Sequence, residues 1–167
     1  MNKEFDKISQ RTLEILENDC SISKKQIALM LDKEEGEIAD IIAGLEKSKT
    51  IVGYKAIVDW EKTGKETVTA LIELKISPQK DRGFDKIAEK IYNFPEVKAA
   101  YLMSGGFDLA LIIRGRTIRE VAAFVAEKLA VMDNIVSTAT HFVLRRYKEK
   151  DFLYSFDEKE DKRSNIF

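Results

Sequence analysis

Apolar residues recur at helical spacing through the first fifty positions. Ile8, Thr12, Ile15 and Leu16 fall at i, i+4, i+7 and i+8, which predicts an amphipathic helix over residues 4–18, ended by Asn18-Asp19-Cys20. Ser23-Lys24-Lys25-Gln26 has the spacing of a capping box, with Ser23 at the N-cap and Gln26 at N3, so a second, short helix runs from there to about Leu31. Ile38, Ile41, Ile42 and Leu45 repeat at i, i+3, i+4 and i+7 and predict a third helix from about Glu34 to Lys47. Three helices in so short a stretch make a small orthogonal bundle.

After Lys49 the period changes. Ile51 to Val58 reads as a strand that runs into the polar turn Glu61-Lys62-Thr63-Gly64, and residues 51–64 are taken as a linker between an N-terminal domain, 1–50, and a C-terminal one, 65–148. The second domain reads strand (Glu66–Ile76), helix (Gly83–Tyr92), strand (Val97–Met103), strand (Leu109–Arg114), helix (Thr117–Leu129), strand (Val136–Lys148). That order is βαββαβ, the ferredoxin-like unit, and the whole chain is of the α+β class. Ser104-Gly105-Gly106-Phe107-Asp108 is the connector of the central hairpin. Both helices must cover one face of the sheet. The other face retains apolar positions and needs a partner sheet from another chain, with Ile72 and Leu74 as candidates for that contact. Residues 149–167 form a charged tail containing Phe152, Leu153, Tyr154 and Phe156.

Composition narrows the class. With 44% hydrophobic and 34% charged residues in 167, a folded protein is expected and a disordered one is not. The charged start carries no secretory signal, and no run approaches the ~20 apolar residues of a membrane span, so a cytoplasmic location without membrane contact is expected. One cysteine, Cys20, and one histidine, His141, allow neither an internal disulfide nor a Cys/His zinc site, and both read as packing residues. No metal or cofactor is called for. Net charge is −1, but residues 1–50 hold eight Lys and Arg against eleven Asp and Glu, and the remainder twenty against eighteen.

Residues 24–41 match a helix-turn-helix at five positions. Ile27 and Leu31 face inward, Ala28 is small where the next helix approaches, and Ile38 and Ile41 pack back, while Asp32 stands at the turn position normally given to Gly. Asp tolerates the left-handed backbone such a turn requires. The second helix would enter the major groove, yet it opens Glu34-Glu35-Gly36-Glu37, adds Asp40 and Glu46, and has no Arg, the commonest reader of guanine. Duplex DNA binding is therefore assigned to Lys24, Lys25, Lys33, Lys47 and Lys49 on phosphates, with Ser23, Glu35 and Gly36 as polar or backbone contacts.

The order of elements, with Leu45-Glu46-Lys47, Ile51-Val52-Gly53-Tyr54, Pro95-Glu96-Val97, Tyr101-x-x-Ser104-Gly105-x-Phe107-Asp108-Leu109 and Thr138-Ala139-Thr140, resembles the Lrp/AsnC (feast/famine) family of transcriptional regulators over residues 5–147. The resemblance implies an N-terminal winged helix-turn-helix, a C-terminal domain that pairs sheet to sheet, and homodimers assembling into tetramers or octamers. It also implies a small amino-acid effector held by Gly105 and Asp108, with Met103, Ser104, Gly106, Thr138 and Thr140 around them. Glycine lets a ligand carboxylate reach backbone N–H groups, and an aspartate can pair with its ammonium. Val58-Asp59-Trp60-Glu61-Lys62 and Thr140-His141-Phe142-Val143-Leu144 are similar to a subgroup linked to transamination, which makes alanine the first effector to test.

The function expected is thus sequence-specific transcriptional regulation controlled by an amino acid, not enzymatic catalysis. Two alternatives stand beside it. One is an amino-acid-sensing oligomeric partner that has lost DNA binding, suggested by the acidic third helix. The other is an enzyme similar to the tetrapyrrole decarboxylases that join ferredoxin-like domains to helix-turn-helix modules, with His141 as a catalytic candidate.

Overall fold

The computed structural model describes residues 6–77 and 83–154, and it divides the chain into two compact units, Met1–Ile57 and Val58–Phe167. The ends of the expected first helix and of the tail, residues 4–5 and 155–167, lie outside the described residues.

In the first unit α1 (Lys7–Asn18) begins where the Asp6 carboxylate accepts from the backbone N–H groups of Ile8 and Ser9. These are two of the donors that a helix start leaves without partners. α2 (Lys24–Leu31) opens with the expected capping box: Ser23 accepts from Gln26 N, and Gln26 Oε1 accepts from Ser23 N at 3.0 Å. α3 (Glu35–Lys47) follows the turn at Asp32, whose φ of 53° is the left-handed value that turn needs. Ile27, Ala28, Ile38 and Ile42 form the buried centre, with Ile8, Ile15, Leu16 and Ile41 packed on it. Thr12 is fully buried because its hydroxyl bonds Ile8 O at 2.8 Å within α1.

Two expectations are corrected here. Residues 51–58 form no strand: they find no partner, residues 52–56 are exposed, and so the first unit has no β wing among the described residues. Branched side chains favour extended backbone, but a strand needs a ladder to join. Cys20 is exposed just after α1 and is not a packing residue. Lys49, just past the Ser48 C-cap of α3, has a φ of 60°, a position that glycine usually holds.

The second unit has the expected order: β1 (Val68–Ile76), α4 (Gly83–Tyr92), β2 (Val97–Leu102), β3 (Leu109–Gly115), α5 (Ile118–Phe124), β4 (Ile135–Phe142). The sheet runs β2-β3-β1-β4 with every neighbouring pair antiparallel. Ala70, Ile72, Leu74 and Ile76 of β1, with Leu109, Leu111 and Ile113 of β3, pack against Ile87 and Ile91 of α4 and Val121 and Phe124 of α5. Ile72 and Leu74 are fully buried in this core, so they do not lie on the face open to another chain. By the period of two, that face carries Leu71 and Glu73 of β1, Ile112 and Arg114 of β3, Ala99 and Tyr101 of β2, and Ala139 and His141 of β4.

α5 passes into a single π turn (Val125–Leu129), closed by Ala130 N donating to Val125 O at 2.8 Å. β4 ends at Phe142 rather than Lys148. Its partner β1 begins at Val68, and Val143 N donating to Thr69 O is the last bond of the ladder. Beyond it the chain makes a short hairpin of β5 (Lys148–Glu149) and β6 (Phe152–Leu153).

Candidate functional site

Each unit carries the residues of one of the two expected sites. In the first, α2 and α3 are joined at the left-handed Asp32, where Lys33 N donates to Ala28 O at 2.9 Å and so closes α2. The buried stripe of α3, Ile38, Ile42 and Leu45, leaves Glu35, Gly36, Asp40, Ala43, Gly44 and Lys47 exposed on its outer side.

The expected phosphate lysines do not stand alike. Lys24 and Lys25 are exposed in the first turn of α2 and have no ion pair among the described residues; Lys47 and Lys49 are exposed at the far end of α3. Lys33 is tied to Glu37, Nζ to Oε1 at 3.0 Å. Ser23 is engaged in its cap, its hydroxyl donating to Gln26 Oε1 at 2.8 Å, while Glu35 and Gly36 are exposed in the first turn of α3. Tyr54 O–H donates to Glu46 Oε1 at 2.9 Å, joining two of the family-like segments.

In the second unit the hairpin between β2 and β3 presents Met103, Ser104, Gly105 and Gly106 to solvent. Gly105 has a φ of 144°, backbone that side chains rarely adopt. Asp108 is half-buried and ties this hairpin to β1: its N–H donates to Leu74 O at 2.9 Å, its own carbonyl accepts from Met103 N at 2.8 Å, and Oδ2 accepts from Ile76 N at 2.7 Å. Thr138 and Thr140 are on β4, opposite Leu74 and Ile72, and point to the helix side. There they line an apolar groove of about 340 Å3 with Ala122, Val125, Ala126, Ala130 and Phe142. Leu74 pairs with Leu109 on one side and Thr138 on the other, so the hairpin and Thr138 flank the same end of β1 with that strand between them.

The groove's helical wall was not foreseen. Its signal was the spacing of Ala122, Ala126 and Ala130, which sets three small residues along one side of α5 and the π turn. His141 is not a packing residue. It is exposed on the open face of the sheet, with Nε2 3.3 Å from Glu73 Oε1 on the neighbouring strand.

Residues 69–152 match the model of the Lrp/AsnC ligand binding domain. The HTH-type transcriptional regulator YugG of Bacillus subtilis is 47% identical over 137 residues, covering 81% of this chain and 82% of that protein. The regulatory protein AsnC of Haemophilus influenzae is 29% identical over 136 residues, covering 81% and 89%. Among solved structures, the complex of the transcriptional regulator NMB0573 of Neisseria meningitidis with L-Met superposes with a TM-score of 0.71 at 19% identity, covering 87% of this chain and 93% of that one. No helix among the described residues is long and apolar enough to cross a membrane. The chain belongs to the Lrp/AsnC family of helix-turn-helix transcriptional regulators.

Proposed function

We propose that this regulator binds its operator through α2 and α3 and that a small amino acid, bound in the C-terminal unit, changes that binding. The observation that carries the reading is the pairing of a helix-turn-helix with a ligand-binding-domain match over residues 69–152. Lys24, Lys25, Lys47 and Lys49 hold phosphates, and Lys33 contributes less because Glu37 already neutralises it. The effector's charged ends are held at the hairpin, by the backbone around Gly105 and Gly106 and by the remaining lone pairs of Asp108. The groove lined by Thr138 and Thr140 lies across β1 from the hairpin and is a second place for an apolar side chain. A groove of about 340 Å3 takes a larger aliphatic side chain than the methyl of alanine, so the panel that starts with alanine extends through valine, leucine and methionine.

Two copies pair through the open sheet face, burying Leu71, Ile112 and Tyr101. Such dimers then assemble further into tetramers or octamers. The test is fluorescence anisotropy of a labelled duplex taken from upstream of the chain's own coding sequence, titrated with protein, with and without each amino acid. Saturable binding whose midpoint moves with one of them supports the reading. Binding that no amino acid moves removes the effector, and no binding to any duplex removes the regulator.

A further inference from the structure

α3 offers four carboxylates, Glu35, Glu37, Asp40 and Glu46, and they are not equivalent. Glu37 is paired with Lys33 at 3.0 Å, and Glu46 accepts from Tyr54 at 2.9 Å. Glu35 lies in the first turn, where an acid complements the partial positive charge of the helix start. Asp40 has none of these explanations. It is exposed in the second turn, it has no hydrogen bond or ion pair among the described residues, and it stands opposite the stripe of Ile38 and Ile42 on the helix wheel. Its neighbours on the same face are Gly36, Ala43 and Gly44, and a Cβ built on either glycine meets nothing within 4 Å. The short aspartate is therefore the one functional group between Glu37 and Lys47 on that face, with backbone and a methyl group beside it.

We infer that Asp40 reads a base, accepting a hydrogen bond from the N4 amino group of a cytosine in the major groove; the inference rests on the reading of α3 as the groove-entering helix. An ionised carboxylate can only accept. The major groove offers it two donors, cytosine N4 and adenine N6, whereas guanine and thymine present acceptors that repel it. Adenine N6 lies between two acceptors, its own N7 and O4 of the paired thymine; cytosine N4 has an acceptor on one side only, O6 of the paired guanine, and a ring C–H on the other, so cytosine is preferred. The low relief around Asp40 lets the helix backbone come close enough for so short a side chain to reach. Repulsion between Asp40 and the phosphates is common to all sequences and cannot choose among them.

Base reading and simple repulsion therefore differ in their dependence on sequence. The full-length protein, its Asp40→Asn variant and its Asp40→Ala variant would each select from a pool of duplexes with a randomised core, and the enriched sequences would be compared position by position. The wild type should enrich cytosine at one position per half-site, at about five- to a hundredfold over other bases. Asp40→Ala should lose that preference and keep the rest of the sequence preference. Asp40→Asn, nearly the same shape, should move it toward adenine, whose N6 and N7 match an amide. Enriched sequences identical in all three proteins, even with uniformly tighter binding by the variants, would overturn the inference alone. A wild type that enriches nothing would overturn the DNA-binding reading with it.

Discussion

The Asp108 carboxylate accepts from the backbone N–H of Ile76 at 2.7 Å, joining residues 32 apart in the chain. Ile76 lies two residues past Leu74, where the ladder between β1 and β3 ends, so its N–H, on the β3 side, has no strand partner and takes a side-chain acceptor. The residue expected to hold an effector's ammonium is thus also the one that fastens the hairpin to the sheet. One oxygen has the structural task, which leaves the other for a ligand.

These two tasks separate by substitution. Asp108→Asn keeps an acceptor for Ile76 and removes the charge, so stability should change little while effector affinity falls about ten- to a hundredfold. Asp108→Ala removes both and should also destabilise the protein by about 1–3 kcal/mol, because the Ile76 donor loses its partner. Calorimetric titration with the amino-acid panel, beside urea unfolding, reads both effects. Equal effector affinity in wild type and Asp108→Asn would place the ammonium elsewhere.

The open sheet face gives a second separation. Leu71→Asp or Ile112→Asp puts a charge on that face and should shift the protein toward monomers in light scattering while the circular dichroism is kept. Ile72→Asp, one residue away, buries a charge in the core and should unfold the C-terminal unit outright. Normal assembly of both Leu71→Asp and Ile112→Asp would mean that chains do not meet through this face.

How much could be read in advance depended on the reach of each interaction. The capping box of Ser23 and Gln26, the left-handed turn at Asp32 and the helix at Gly83–Tyr92 are local, and the chain shows them where spacing placed them. The inward face of β1 was not readable, because Leu71 is apolar on one side and Ile72 and Leu74 on the other, so alternation marks two faces without saying which meets the helices. Ile51–Val58 has strand chemistry but no partner. The Asp108 bond to Ile76 has no local trace at all. On α3 the acids were visible, but only the structure distinguishes the tied Glu37 and Glu46 from the unpaired Asp40.

Lys49 offers a stability gain at a functional cost. A lysine at a φ of 60° is strained where glycine is not, so Lys49→Gly should stabilise the protein by about 1 kcal/mol in chemical unfolding. The same change removes one of the phosphate lysines and should weaken DNA binding. Lys49→Gly that is no more stable than wild type would show that the strain is already relieved.

Glu96 and Lys128 make the second unit sensitive to acid. Lys128 Nζ lies 2.7 Å from Glu96 Oε1 and over the rings of Phe94 and Phe124, fastening the π turn to the start of β2. The hydrogen bond from Lys128 holds the Glu96 carboxyl below its ordinary 4.5, with burial opposing. A carboxyl lowered on folding stabilises the fold above its unfolded value, and that contribution is lost as pH falls through the folded value. Lys128→Met should therefore be less stable than wild type at pH 7, and the gap should narrow below about pH 4, leaving the ring contacts as a residue that does not depend on pH. A gap that stays constant from pH 7 to pH 3 would assign the whole effect to those rings.

The lysines of the helix-turn-helix should differ in the salt dependence of binding. Lys24 and Lys25 are exposed in the first turn of α2 without ion pairs among the described residues, whereas Lys33 is neutralised by Glu37 at 3.0 Å. Each phosphate contact releases condensed counterions, and losing one contact flattens the plot of log K against log salt by about 0.9. Lys24→Ala with Lys25→Ala should flatten it by about 1.8 if both make contacts, and should weaken binding to all duplexes alike, because a phosphate carries no sequence information. Lys33→Ala should change the slope less than either, because it loses a cation but frees the Glu37 carboxylate to repel the backbone. That repulsion lowers affinity without the signature of a released counterion. Anisotropy titrations of each variant between 50 and 300 mM salt on one duplex, about the range over which such slopes are read, measure both quantities together. A Lys33→Ala slope as flat as that of the double variant would mean that its ion pair opens when DNA binds, and an unchanged slope in the double variant would move the phosphate contacts to Lys47 and Lys49.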